Sequence, residues 1–165
     1  MQTIKQLAVG ILISLCAVQA ASAAQSGLGK RGLGLGIILG EPTGLSVKKW
    51  VDKETAIDGA AAWAFAGSGS FQIHADYLKH VYNVIDPAGI GGRLPFYFGV
   101  GGRVKFHDER NRSTDTRVGV RIPLGLTYLP DNAPFDLFFE IVPILDATPS
   151  TDVRLNAAIG GRFYF

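Results

Sequence analysis

DVRLNAAIGGRFYF, residues 152–165, is the stretch whose reading decides the fold. Val153, Leu155, Ala157, Ile159, Gly161, Phe163 and Phe165 fall on one side. Asp152, Arg154, Asn156, Ala158, Gly160, Arg162 and Tyr164 fall on the other. Strict alternation over this length is the pattern of a β-strand with two unlike faces. The same period runs backward through the chain. Phe135, Leu137, Phe139 and Ile141 oppose Asp136 and Glu140, with a last loop at Asp146 to Asp152. Val118, Val120, Ile122, Leu124, Leu126 and Tyr128 oppose Arg117, Gly119, Arg121, Gly125 and Thr127, in one continuous sixth strand. Leu94, Phe96, Phe98, Val100, Val104 and Phe106 oppose Tyr97, Gly99, Gly101, Arg103 and Lys105.

Four more strands precede these. Phe71, Ile73, Ala75 and Tyr77 alternate with Gln72, His74 and Asp76, and Ile57, Gly59, Ala61, Trp63 and Phe65 with Asp58, Ala60, Ala62 and Ala64. A weaker strand covers Leu45 to Val51. In the first, Leu33, Leu35, Ile37 and Leu39 alternate with Gly32, Gly34 and Gly36, so that its glycine face is expected to lie under larger neighbours. Turns are read at Glu41-Pro42-Thr43-Gly44, Asp52-Lys53-Glu54, Gly67-Ser68-Gly69 and Pro130 to Pro134, with a polar loop from His107 to Asp115. Asn83 to Gly92 is a connection that is long for a periplasmic turn.

An eight-stranded antiparallel barrel can point its apolar face inward, as a soluble lipocalin-like binding barrel does, or outward into lipid. The polar face here carries Asp58, Asp76, Arg103, Arg121, Asp136, Glu140, Arg154 and Arg162 and few large apolar side chains. It suits a polar lumen better than a packed soluble core. The other face carries the aliphatic and aromatic side chains, with Trp63, Phe65, Phe96, Phe106, Tyr128, Phe135, Phe163 and Phe165 near strand ends, where interfacial girdles form. The expected fold is all-β: an eight-stranded, closed, antiparallel transmembrane β-barrel. Opposed charges filling so narrow a lumen are expected to pair, with Arg121 and Arg154 among Asp58, Asp76, Asp136 and Glu140.

The amino-terminal residues are of another kind. Lys5, the apolar run Leu7 to Val18 and the small residues Ala20-Ala21-Ser22-Ala23-Ala24 follow the order of a secretory signal peptide. The run is shorter than the roughly 20 residues a spanning helix needs. Cleavage after Ala23 divides the chain into a signal peptide, 1–23, and a barrel domain, 24–165. The only cysteine, Cys16, lies in the signal, and the bulky Leu15 before it does not suit a lipoprotein site. Disulfide and thiol chemistry are therefore not expected. Removing Lys5 takes the net charge from +2 to +1, which gives no electrostatic footprint for nucleic acid. Gly is 21 of 165 residues and apolar residues are 47% without a second long apolar run, so helical spans are not expected either.

On these residues the chain resembles the small OmpA/OmpX-type eight-stranded outer-membrane barrels of Gram-negative-type bacteria. In that family a terminal Phe, an aromatic two residues earlier and alternate apolar positions form the signal read by the barrel-assembly machinery. Phe165, Phe163, Ile159, Ala157 and Leu155 match it, and Gly161 departs from it. The resemblance implies an outer-membrane location, contact with lipids including lipopolysaccharide, and handling by periplasmic chaperones and the assembly machinery. Gly34 to Val51 is also similar to the start of a group of uncharacterised bacterial barrel proteins, from which no activity transfers.

Some barrels of this size modify lipid A, which would require a nucleophile beside a base and an orienting acid. Ser46, Ser68, Ser70 and Ser113 with His74, His80 and His107 are the material available, and Ser70 with His74 the best of it. Gly67 to Ser70 reads more simply as a hairpin leading into a strand with a lumen-facing histidine. Gly99 to Gly102 lacks the Lys-Ser/Thr of a phosphate loop, and the histidines lack zinc-ligand spacing. A diffusion pore needs about sixteen strands. The expectation is a monomeric structural or surface-interaction protein with no catalytic, cofactor or metal residues and no nucleic-acid partner, the alternatives being a lipid-A-modifying barrel enzyme or a soluble periplasmic lipocalin-like binding barrel.

Overall fold

Residues that alternate between lipid-like and polar character satisfy both faces of an extended strand at once, and the computed structural model forms strands at these stretches. It describes residues 32–64, 70–85, 89, 91–107 and 115–165. Residues 1–23, where a signal peptide is expected, the Gly67-Ser68-Gly69 break and residues 108–114 of the polar loop lie outside these. The strands are β1 (Leu33–Gly40), β2 (Gly44–Trp50), β3 (Thr55–Ala64), β4 (Ser70–Val81), β5 (Gly92–Arg93), β6 (Phe96–His107), β7 (Asp115–Arg121), β8 (Leu124–Pro130), β9 (Phe135–Thr148) and β10 (Asp152–Tyr164).

Neighbours pair antiparallel, and the order returns on itself. A ring of eight strands runs β1, β2, β3, β4, β6, β7, β9, β10, with β10 paired to β1 from Gly34↔Tyr164 to Gly40↔Ala158. The remaining two segments extend ring members. β5 continues β6 across Leu94-Pro95, since both pair with β8, and β8 continues β7 across Ile122-Pro123. The sixth strand is thus not continuous. Pro123 has no N–H to give the ladder and its ring restricts Ile122. The Ile122 N–H donates to Pro143 O at 3.0 Å and the Gly99 N–H to Pro123 O at 2.9 Å, which carries the pairing past the break.

Two connections are shorter than the sequence suggests. The pairing of Gly92 and Arg93 trims the 83–92 connection, and β9 runs to Thr148, so Asp146 belongs to a strand and not to the last loop. Asp146 is buried, paired in register with Asp152 on one side and Gly119 on the other. Alternation alone hides this. Asp146-Ala147-Thr148-Pro149-Ser150 has the composition of a turn, and only the register partners of Asp146 make it part of the wall.

Turn chemistry closes the hairpins. Thr43 Oγ1 accepts from the Gly40 N–H at 3.0 Å and donates to Gly40 O at 2.9 Å, while Gly40 has φ +124°, a left-handed value that favours glycine. At the other end of the ring Asp52 Oδ1 accepts from the Glu54 and Thr55 amides, each at 2.8 Å. This is the side-chain turn that Asp makes readily.

Candidate membrane face and lumen

The outward side chains form a continuous apolar wall. Ile37, Leu45, Ala61, Ile73, Val104 and Val118 are successive register partners across six strands. Leu45 is 59% exposed, Val100 56% and Ile159 56%. Apolar exposure that encircles a molecule far exceeds the few hundred Å² of patch usual on soluble monomers. Aromatic rings mark its two ends. Trp63, Phe71 and Phe106 are register partners near one end, with centroids 5.5 and 6.2 Å apart. Phe163 packs on Phe165 at 5.3 Å, and Phe135 lies opposite Phe163, near the other. Phe65 lies outside the described residues.

The inward face holds buried ions. Arg121 donates through Nε to Asp76 at 3.0 and 3.1 Å and reaches Glu140 at 3.5 Å. Arg162 stands 3.3 Å from Asp58 and 3.9 Å from Asp136, its guanidinium over the Phe138 ring. Arg103 grips Asp146 through Nε and Nη2, at 2.7 to 3.1 Å. Among the described residues five buried carboxylates (Asp58, Asp76, Asp136, Glu140, Asp146) meet four buried cations (Lys48, Arg103, Arg121, Arg162), and hydroxyls supply further donors. Tyr164 donates to Asp136 at 2.5 Å and Tyr97 to Glu140 at 3.1 Å.

The expected partners of Arg121 are thus correct, and those of Arg154 are not. Arg154 is 43% exposed and pairs with Asp146 at 3.4 Å and Asp152 at 3.0 Å. Both of these carboxylates lie in the stretch whose composition reads as the last loop, so sequence alone does not bring them to Arg154. Lys48 escaped notice because it adjoins Lys49 and resembles a surface pair. The alternation Leu45, Ser46, Val47, Lys48 was the available signal. It is fully buried, with Nζ 2.9 Å from His80 Nε2, and since His80 Nδ1 lies 3.1 Å from Glu54 O, the histidine donates there and accepts from Lys48.

Glycines make room for these long side chains. A Cβ on Gly101 would overlap Asp76, one on Gly125 the Tyr97 ring, and one on Gly34 the Tyr164 ring. On the glycine face of β1 the expected larger neighbour is therefore found at Gly34, while Gly32 and Gly36 lie against the backbone of Phe165 and of Gly161 and Arg162.

Against solved structures, the chain is similar to the N-terminal β-barrel domain of Pseudomonas aeruginosa OprF, with a TM-score of 0.60 at 13% identity, covering 83% of this chain and 99% of that one. The fold is a β-barrel. No family model and no curated protein matches the sequence.

The barrel separates the catalytic candidates. Ser70 and His74 share the inner face of β4, four residues apart, which at about 3.4 Å per residue is roughly 13 Å. That is beyond hydrogen-bond reach. His74 Nε2 lies 3.9 Å from Asp76, and its Nδ1 has no hydrogen-bond partner. Ser46 is buried in β2, His80 sits at the opposite end with Lys48, and Ser68 and Ser113 lie outside the described residues. Among the described residues no group of three or more His, Cys, Asp or Glu is placed to hold a metal ion.

Proposed function

We propose that this chain is a bacterial outer-membrane protein: a closed transmembrane barrel whose lumen is filled by side chains, exported by its signal peptide, and serving a structural or surface-interaction role. The observation that carries this reading is the inside-out arrangement, an apolar wall all round with aromatic ends and buried ion pairs within. Water-soluble barrels have the opposite arrangement, and hydrocarbon tolerates no open sheet edge. In this reading the barrel is a monomer in contact with lipids including lipopolysaccharide, placed there by periplasmic chaperones and the assembly machinery, with no nucleic-acid partner and no catalysis. The chain termini and the 51–54 and 131–134 turns face the periplasm, and the 41–43 and 149–151 turns face outward.

Refolding in detergent should give a β-rich species whose migration in a gel changes on boiling, and in cells the protein should stay with outer membranes after a salt wash. Recovery as a soluble periplasmic monomer would sink the proposal.

A further inference from the structure

At one end of the lumen the strands are unequal in height. β1 and β2 are eight and seven residues long, whereas β10 continues six residues beyond its last pairing with β1, at Gly40↔Ala158. The 41–43 turn therefore sits below the end of β10. Together with β3, β4 and β6 these two enclose a cavity of about 620 Å³.

Its charges are answered from within. Arg103 is held by Asp146 and Arg154 by Asp146 and Asp152, while Lys105 shares the lining with Glu41. A free ion would have to compete with these partners. The neutral groups are in a different position. Gln72 and Asn156 both line the cavity, and each is only 6% exposed. The Gln72 amide nitrogen has no hydrogen-bond partner, and a buried donor left unmade is costly. β4 and β10 stand four places apart in the ring of eight, so the two carboxamides approach the cavity from facing walls. Ser70, at the start of β4, adds a hydroxyl to the same lining.

We propose that this cavity binds a neutral mono- or disaccharide, its hydroxyls accepting from the Gln72 amide nitrogen and exchanging hydrogen bonds with Asn156 and Ser70. Carboxamides both donate and accept, and so does a sugar hydroxyl, which lets a polyol satisfy both walls while the ion pairs stay intact. The volume lies within the range of about 300 to 1,000 Å³ of small-molecule sites. The inference deepens the surface-interaction role and rests on the membrane reading for the side from which the sugar arrives.

The protein in phosphatidylcholine nanodiscs, with empty discs as the blank, can be titrated with maltose, lactose and sucrose and read by saturation-transfer NMR on the sugar protons. At least one of the three should give a saturable signal. Gln72→Met, similar in length but without a donor, should weaken that binding by about fivefold, the share of one neutral hydrogen bond. Ala62→Leu, which adds bulk to the cavity wall and leaves its polar groups in place, should abolish it. Boiling-dependent gel migration, checked on every variant, reports folding and the membrane reading separately from sugar binding. The absence of a saturable signal from all three sugars, or undiminished binding by a folded Gln72→Met protein, would overturn the proposal. Displacement of the sugar by a lower concentration of inorganic phosphate would also overturn it, making the cavity an ion site. So would equal displacement by N-acetylglycinamide, which would make it a site for amides.

Discussion

Arg121 and Ile122 are adjacent in the chain and opposite in environment. Arg121 is fully buried against Asp76 and Glu140, while Ile122 is 50% exposed on the apolar wall. Replacing Arg121 with Leu leaves two buried acids short of a cation. Breaking a buried pair from one side costs about 3 to 5 kcal/mol, because the remaining charge stays desolvated. Chemical denaturation of the folded protein in detergent should show that loss. Ile122→Arg should act elsewhere, as a lipid-face cost of about 2 to 4 kcal/mol near the bilayer midplane that obstructs insertion into vesicles. The pair of outcomes is diagnostic. If Ile122→Arg inserted normally and Arg121→Leu kept full stability, the two faces of this strand would have been exchanged.

Among the elements, the β2–β3 hairpin has a turn that can be titrated. The Glu54 amide, followed by the Thr55 hydroxyl, holds the Asp52 carboxyl below its ordinary 3.8. A folded-state value below the unfolded one means that the contribution to stability is present above about pH 4 and is lost as pH falls through the lowered midpoint. The Asp52 carboxyl resonance should therefore titrate below 3.8 in the folded protein, and a midpoint at or above that value would mean that the amides do not bind the charged form. Hairpins of this kind were legible in the sequence, because Asp52 and the Glu41-Pro42-Thr43-Gly44 run carry turn chemistry locally. The strand faces were legible for the same reason, as Phe135 to Ile141 and Asp152 to Phe165 each fix their own alternation. Partnership was not. Asp146 takes its place from Gly119 and Asp152 across the sheet, and Arg154 follows Asp146, so neither could be placed from its neighbours in sequence. The break at Pro123 was visible as a proline, but its consequence depended on Pro143 and Gly99 in adjoining strands.

For the whole molecule, closure and delivery are separate problems. The last residues are built into the ring: the Phe165 N–H donates to Leu33 O at 3.1 Å, and Tyr164 reaches Pro134 O at 2.7 Å. Deleting Phe165 removes one such bond, a net effect of about 1 kcal/mol. If Phe165 also carries the targeting signal its family resemblance implies, the deletion should lower assembly yield in cells far more than it lowers stability in detergent. Equal losses in the two assays would count against that role. The glycines beneath Asp76, Tyr97 and Tyr164 bear on the protein's history. Gly34 meets only the Tyr164 ring, so it cannot acquire a side chain until position 164 has become small, whereas Gly101 and Gly125 are also closed off by the backbone oxygens of Ala75 and Phe139 and stay glycine whatever lies above them. Variation at the Gly34 and Tyr164 pair should then appear as an exchange of bulk between neighbouring strands, while the outer surface varies one position at a time among apolar residues. Aligned relatives of this chain should show a side chain at position 34 only where position 164 is small, with Gly101 and Gly125 kept as glycine.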